Sequence, residues 1–364
     1  MSPTTDPIQA VSQRLDNFFT ARRVEAQEWG PEGEGLIEAA IAALQGGKRL
    51  RARFCLAGWR AVEEASGRMT SPDDGVVAAA SALEIFHAAA LVHDDLIDNS
   101  DTRRGRPAAH RALESQHRAA GWEGDAAAFG RSGAILLGDL LVAWSDDLAE
   151  EGFAEAAPDA GAGARREYAL MRRVVTVGQF LDVAEESAFR AAADELQAER
   201  ALRVASLKSA RYSVEQPLLI GAALAGADTA QQHALSAFGH PIGMAFQLRD
   251  DVLGVFGDES VTGKPSGDDL REGKRTVLIA YAREGMSPED RSRMDGLIGD
   301  PSLDTAQISS LQTAIVASGG LDRVEALITD YVAAADDALT GAPLADDALG
   351  ELRRLAHAAT ARTA

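Results

Sequence analysis

Two aspartate-rich clusters, each trailed by basic residues, constrain this chain more than any other feature. The first reads Asp94-Asp95-Leu96-Ile97-Asp98 and continues into Asp101-Thr102-Arg103-Arg104-Gly105-Arg106. The second is Asp250-Asp251, with Asp258, Lys264, Asp268-Asp269, Lys274 and Arg275 behind it. Carboxylates this dense repel one another unless a cation sits among them. Oxygen-only donors suit a hard divalent ion such as Mg²⁺. Acids beside Arg and Lys therefore suggest a metal-bridged polyphosphate, its charge shared between cation and guanidinium. The bland alternative for either cluster is a solvated helix end.

The surrounding chain reads as all-α. Pro is scarce at 12 of 364 residues, Ala is abundant, and no run alternates with a period of two. A net charge of −20 makes nucleic acid and anionic membrane poor partners for the surface as a whole. An anionic substrate would need a local basic pocket. The single cysteine, Cys55, forms no internal disulfide, which fits a reducing cytoplasm. The apolar stretch Val76 to Val92 is short for a membrane span and is interrupted by Glu84 and His87, so it reads as a buried core helix.

Residues 1–15 read as a flexible leader and 16–364 as one helical domain, with loops at 152–165 and 256–275. Helical spacing from Leu15 to about Arg68 breaks near Gly30-Pro31 and Gly46-Gly47. Ser71-Pro72-Asp73-Asp74 opens the next helix, which runs through Val77, Leu83 and Phe86 to a stop at Arg104–Pro107. Further helices are expected at 131–149, 166–187, 192–208 and 241–255, and from Thr276 onward. Gln216-Pro217 marks a kink or a helix start.

On a helix, Asp94 and Asp98 share a face, and His87 lies two turns back on it. Gly46-Gly47-Lys48-Arg49-Leu50-Arg51 is a flexible turn opening into basic residues, a phosphate grip in some contexts and a common helix start in others. Gln247 and Asp251 share a helix face, with Asp250 close by. Position 254 is Gly, so the second cluster lacks a third carboxylate one turn beyond Asp250; Asp258 is one residue that could compensate. Gln179 and Asp182 place two polar groups among apolar neighbours, for which structural hydrogen bonding is the plain explanation.

Taken in order from Gly46 to Leu278, these elements resemble the trans-prenyl diphosphate synthases, the polyprenyl synthetase family, with a geranylgeranyl diphosphate synthase-like pattern. The resemblance implies a single-domain bundle of long helices around a deep central cavity, the isoprenoid synthase fold, with the two Asp-rich helices facing each other across its mouth. It implies an enzyme that joins isopentenyl diphosphate to an allylic diphosphate. By the same resemblance, Asp94 and Asp98 would hold two Mg²⁺ ions and Asp250 a third, with Asp251 in support and Asp95 behind them. Lys48, Arg51, His87 and Arg104 would hold isopentenyl diphosphate. Arg103, Lys208, Ser209, Gln247, Lys264 and Lys274 would hold the allylic diphosphate. Many relatives carry Thr where Ser209 stands, and the hydroxyl is kept. A homodimer is the family's usual state.

Phe86, Ala89 and Ala90 would line the path of the growing chain. Ala89 and Ala90 lie about 6–7.5 Å below Asp94 along the helix axis. Neither blocks that path, so the expected product is geranylgeranyl diphosphate or longer. A terpene cyclase and a non-catalytic partner subunit are the rival readings. The two separate basic sets favour condensation over cyclisation.

Overall fold

Glycine, proline and capping aspartates set most of the helix boundaries. A computed structural model of the chain describes residues 7–68, 71–191, 193–257 and 266–361. Among them the only strands are two dipeptides, Thr102–Arg103 and Arg106–Pro107, so the chain is all-α as expected. The helices group into two compact units: the chain up to Arg165 with Ile220–Ala227, and Arg166–Leu219 with Asp228–Ala364.

The first unit holds α1 (Pro7–Ala26), α2 (Gly30–Leu44), α3 (Leu50–Ala65), α4 (Asp74–Ile97), α5 (Ala109–Ala119) and α6 (Ala126–Glu155). The breaks expected at Gly30-Pro31 and Gly46-Gly47 are present. The α4 cap lies two residues past Ser71: the Asp73 carboxylate accepts the Val76 N–H at 2.8 Å. α4 also stops seven residues before Arg104. Asn99 turns left-handed at φ 54°, and the Ser100 N–H bonds back to the Asp95 carbonyl at 2.9 Å. This is a glycine-type helix stop made with asparagine.

α4 packs most extensively on α6, around Leu83, Ile85, Leu137, Leu141 and Leu148, all fully buried. Phe18, Phe19 and Trp144 close one end of this core with edge-on rings 5.4–6.3 Å apart. Cys55 is buried, which pushes its thiol pKa up to about 12. α4 and α6 are both long and apolar enough to cross a membrane. The apolar window of α4 is 83% buried, as a core helix requires, and that of α6 only 28%.

Two stretches expected to be loops are helical. α1 begins at Pro7 and buries Val11 and Leu15, so residues 7–15 are not a loose leader. α6 runs to Glu155, and α7 (Pro158–Ala188) begins three residues later. Its small residues serve packing: a Cβ at Gly161 would overlap the Phe153 carbonyl, and Ala164 is fully buried. No apolar period was visible there because glycine and alanine make the contacts.

In the second unit, the C-terminal part of α7 is followed by α8 (Gln197–Val204) and a π-helix, Ala205–Glu215. α9 (Gln216–Leu224) starts at the expected Gln216-Pro217. α10 (Thr229–Phe256) begins twelve residues before Pro241, on an Asp228–Gln231 capping box, and carries Pro241 inside it. α10 packs on the π-helix and on the helix Gly320–Ala338, over a core including Leu248, Val252, Val255, Leu278 and Val324. The stretch 256–275 is not loop throughout, for Asp268–Glu272 forms a short helix anchored by the fully buried Leu270.

Candidate active site

In the first unit the basic motifs converge on α4. Arg104 and Gly105, at φ 53° and 72°, form a two-residue turn that pairs Arg103 with Arg106 across a tight hairpin. An arginine in the left-handed region costs of order 1 kcal/mol, so surrounding contacts must hold it there. They do. Arg104 donates to the Gln45 carbonyl at 2.9 Å, and Arg106 donates to the Gln45 side chain. Gly47, at φ 82°, leaves room for the guanidinium: a Cβ there would lie 2.8 Å from Arg104 Nη2. The Gly-Gly turn is therefore shaped to receive the hairpin.

Arg49 is also left-handed, at φ 52°, and starts α3. The buried Glu84 on α4 accepts the Ala52 N–H at 3.0 Å and lies 3.7 Å from Arg49 Nη1. One turn on is His87. Burial first, then Arg51, Arg104, Arg103 and Arg49, drive its pKa well below the ordinary value, so its imidazole is neutral at physiological pH. Arg51 is buried and Lys48 exposed. Burial and the neighbouring Arg103 also lower the pKa of Arg104. Cations held this close oppose one another, an arrangement that an anion would stabilise.

Arg103 faces the first acid cluster. Its Nε donates to Asp95 Oδ1 at 2.8 Å, and Nη2 lies 3.5 Å from Asp94 Oδ2. Asp95 is buried, while Asp94 and Asp98 keep solvent access. Asp98 follows the last turn of α4, its N–H bonded to the Asp94 carbonyl at 2.8 Å. Along α4, Phe86 and Ala89 are buried, and Ala90 is partly open.

In the second unit α10 presents Gln247, Asp250 and Asp251. Gln247 Nε2 donates to Asp251 Oδ1 at 2.7 Å. Asp251 is buried and its pKa is raised well above the ordinary carboxylate range. Desolvation is the main cause, followed by Asp269, with Asp250 and Asp182 adding and the Gln247 bond opposing. Asp250 is the more open of the pair. On the π-helix, Lys208 Nζ donates to Asp182 Oδ2 at 2.5 Å, and Ser209 is buried. α7 reaches the π-helix because Gly178 has no side chain; a Cβ there would overlap the Lys208 backbone. Such a helix widening commonly marks a functional site.

Lys274 Nζ lies 2.6 Å from Glu272 and 3.8 Å from Asp269. Arg275 turns elsewhere, 3.0 Å from Asp295 and stacked over Phe189. Lys264 and Asp258 lie outside the described residues.

Three side chains in these surroundings escaped the sequence reading as site residues. Arg49 was visible only as one of a basic run. Glu84 was visible as a charge interrupting an apolar helix. Asp269 was visible beside Asp268 but had no assigned place.

Among the described residues no three His, Cys, Asp or Glu side chains converge closely enough to hold a metal by themselves. The acids come in ones and twos. That suits Mg²⁺, which is usually held by one or two carboxylates together with substrate phosphate oxygens.

The polyprenyl synthetase family model matches residues 34–315. A heptaprenyl diphosphate synthase component 2 from Geobacillus stearothermophilus is 32% identical over 360 residues, covering 97% of this chain and 94% of that protein. A geranylfarnesyl diphosphate synthase from Aeropyrum pernix is 32% identical over 314 residues, covering 85% and 88%. A crystal structure of geranylgeranyl pyrophosphate synthase from Corynebacterium glutamicum, complexed with isoprenyl diphosphate and magnesium, superposes with a TM-score of 0.89 at 37% identity, covering 98% of both chains. Matched over most of its length in sequence and in fold, this chain belongs to the polyprenyl synthetase family and is a trans-prenyl diphosphate synthase.

Proposed function

We propose that the enzyme extends an allylic diphosphate with isopentenyl diphosphate and releases geranylgeranyl diphosphate or a longer product. The observation that carries this reading is the set of Arg49, Arg51, Arg103 and Arg104 around a neutral His87. It is a ready anion site in a protein of net charge −20. Lys48, Arg51, His87 and Arg104 take isopentenyl diphosphate. Arg103, Lys208, Ser209, Gln247, Lys264 and Lys274 take the allylic diphosphate. Asp94, Asp98 and Asp250 are the residues that would hold Mg²⁺, three ions in all. When bound, the metal neutralises charge growing on the leaving diphosphate.

The chain's own residues do the rest. Basic side chains orient both diphosphates and stabilise the departing one. The allylic C–O bond breaks with its electron pair leaving on diphosphate. The alkene of isopentenyl diphosphate attacks the allylic carbon, and loss of a proton to the released diphosphate restores a double bond. Protein walls exclude the water that would trap the cation.

The test is an incubation of the pure chain with Mg²⁺, labelled isopentenyl diphosphate and each allylic starter, with product length resolved. Label entering a prenyl product of twenty carbons or more is the expected outcome. A product confined to farnesyl diphosphate would refute the length assignment. Ala90→Phe is the cleaner probe of that length, because Ala90 is partly open whereas the buried Ala89 has no room for a ring. It should shorten the product by at least one isoprene unit, and an unchanged chromatographic ladder would remove Ala90 from the chain path.

We further propose a homodimer in the cytoplasm. The poorly buried apolar window of α6 and the exposed Phe129, Ile135 and Leu136 on that helix support a subunit contact there. Light scattering should return twice the 38.3 kDa chain mass.

A further inference from the structure

Four arginines gather around one aromatic ring in the second unit. The short turn Phe189–Ala191, which follows α7, meets the helices Val277–Gly285 and Pro288–Leu297 there. The Arg275 guanidinium carbon lies 3.4 Å from the centre of the Phe189 ring, with those of Arg190 and Arg283 at 5.4 and 5.8 Å. An aromatic face attracts cations, which helps to hold them this close. Carboxylates are fewer. Asp295 accepts from Arg275 at 3.0 Å and also from Arg283. Asp194 accepts from Arg283 at 2.7 Å and also from Arg291. Arg190 donates only to the Asp295 backbone carbonyl, at 3.2 Å.

The positive charge is thus under-compensated. Burial, then Arg283 and Arg190, lower the Arg275 pKa to about 10, against a smaller opposite effect of Glu186. The Nε–H groups of Arg275, Arg283 and Arg291 are buried without a hydrogen-bond partner, although buried polar groups are normally satisfied. A network that served only to tie these helices together would match each guanidinium with a carboxylate. A chain of net charge −20 has acids to spare for that. Here four guanidinium groups lean mainly on two carboxylates.

Beside the ring lies an open cleft of about 400 Å³, within the size range of small-molecule sites. Arg190, Arg283 and Arg291 line it, together with Ser292. Asp194 and Asp295 line it too and oppose an anion, so the exposed Arg190, which carries no carboxylate, is the group that an anion would engage first. Guanidinium forks match the geometry of phosphate oxygens. We infer that this cleft is a further anion site, which binds the phosphate group of a small molecule through Arg190, Arg283 and Arg291. None of these residues is among those that take the two diphosphates, so this site stands apart from the function proposed above. The plain alternative is a structural ion-pair network that binds nothing.

Equilibrium dialysis with labelled inorganic phosphate, without Mg²⁺ and at constant ionic strength, separates the two. Arg51→Ala serves as the background, because it weakens the anion site of the first unit. That chain should bind phosphate saturably. Adding Arg190→Gln should weaken this binding about tenfold or more, the loss of one charged hydrogen bond. Arg190 is exposed, so the unfolding midpoint should stay close to that of the background. Equal binding with and without Arg190→Gln, or no saturable binding at all, overturns the inference. Glycerol phosphate in the same dialysis identifies the source of the phosphate group. Tighter Arg190-dependent binding than inorganic phosphate assigns the cleft to a phosphate ester, and weaker binding assigns it to free phosphate. Should the variant misfold, phenylglyoxal labelling of the wild-type chain decides, read by mass spectrometry. Phosphate should slow modification of Arg190 more than that of the exposed Arg293, which does not line the cleft, and equal slowing overturns the inference.

Discussion

The two acid clusters carry similar residues in opposite electrostatic settings. In the first unit arginines dominate. Arg103 clamps the buried Asp95, and Arg49, Arg51 and Arg104 crowd a neutral His87. In the second unit carboxylates dominate. Asp251 is raised by its own burial and by Asp269, Asp250 and Asp182, while Lys208 is engaged by Asp182. The first site is built to receive an anion directly. The second needs added positive charge before it can receive one. The same residue types thus offer two routes to holding an anion: guanidinium groups in one place, carboxylates that recruit a cation in the other.

The largest effect should come from Asp94→Ala. If Asp94 serves the cation-bridged diphosphate, and not merely Arg103 at 3.5 Å, condensation should fall about 10³-fold, the cost of losing one preorganised charge contact in a transition state. Labelled-substrate turnover beside circular dichroism checks it; an active, folded variant would make the first site purely basic. Next, Arg51→Ala should raise KM for isopentenyl diphosphate about 10–100-fold, from a lost charged hydrogen bond of about 1.5–3 kcal/mol. A change confined to the allylic substrate would break the division of labour between the two basic sets.

Stability sharpens the contrast, because the same substitution should act with opposite signs in the two units. Asp95→Asn removes a buried, Arg-paired charge and should destabilise by about 1–3 kcal/mol. Asp251→Asn should stabilise the Mg²⁺-free protein at neutral pH. The folded state raises the Asp251 pKa above 3.8, so wild-type stability drains away as pH rises through that window, and asparagine escapes the loss. Urea midpoints at pH 5 and 7.5 read both variants, and equal signs would refute the comparison.

The smallest effect concerns His87. Its folded pKa lies below 6.5, so its contribution is complete above 6.5 and is lost as pH falls further. His87→Gln should flatten the acid side of the stability profile. An unaltered slope would mean that neither burial nor the surrounding arginines act on this ring.

Much of this was legible in the chain because it is local. Helix spacing alone put Asp94 and Asp98 one turn apart, and the same periodicity paired Gln247 with Asp251. Glycine and proline marked the breaks before α2 and α3. The failures have separate causes. The stretch 152–165 reads as a loop because small residues carry no apolar period, yet Gly161 and Ala164 pack closely enough to make helix the better state. Residues 7–15 do carry Ile8, Val11 and Leu15 at helical spacing, and burial of Val11 and Leu15 holds them in α1. The stop of α4 at Asn99 was less visible because glycine is the usual residue at that left-handed position and asparagine the second choice.

By itself the sequence determined an all-helical chain with two acid clusters, their basic companions and the family these imply. Those properties follow from residue type and short-range spacing. Only the tertiary structure decided where each charged side chain goes. Arg103 goes to Asp95, Arg104 to the Gln45 carbonyl, Lys208 to Asp182, and the Asp269 carboxylate to the gap at Gly254. Charge pairing depends on distances of a few ångströms between segments up to 59 residues apart, and no local pattern along the chain encodes them.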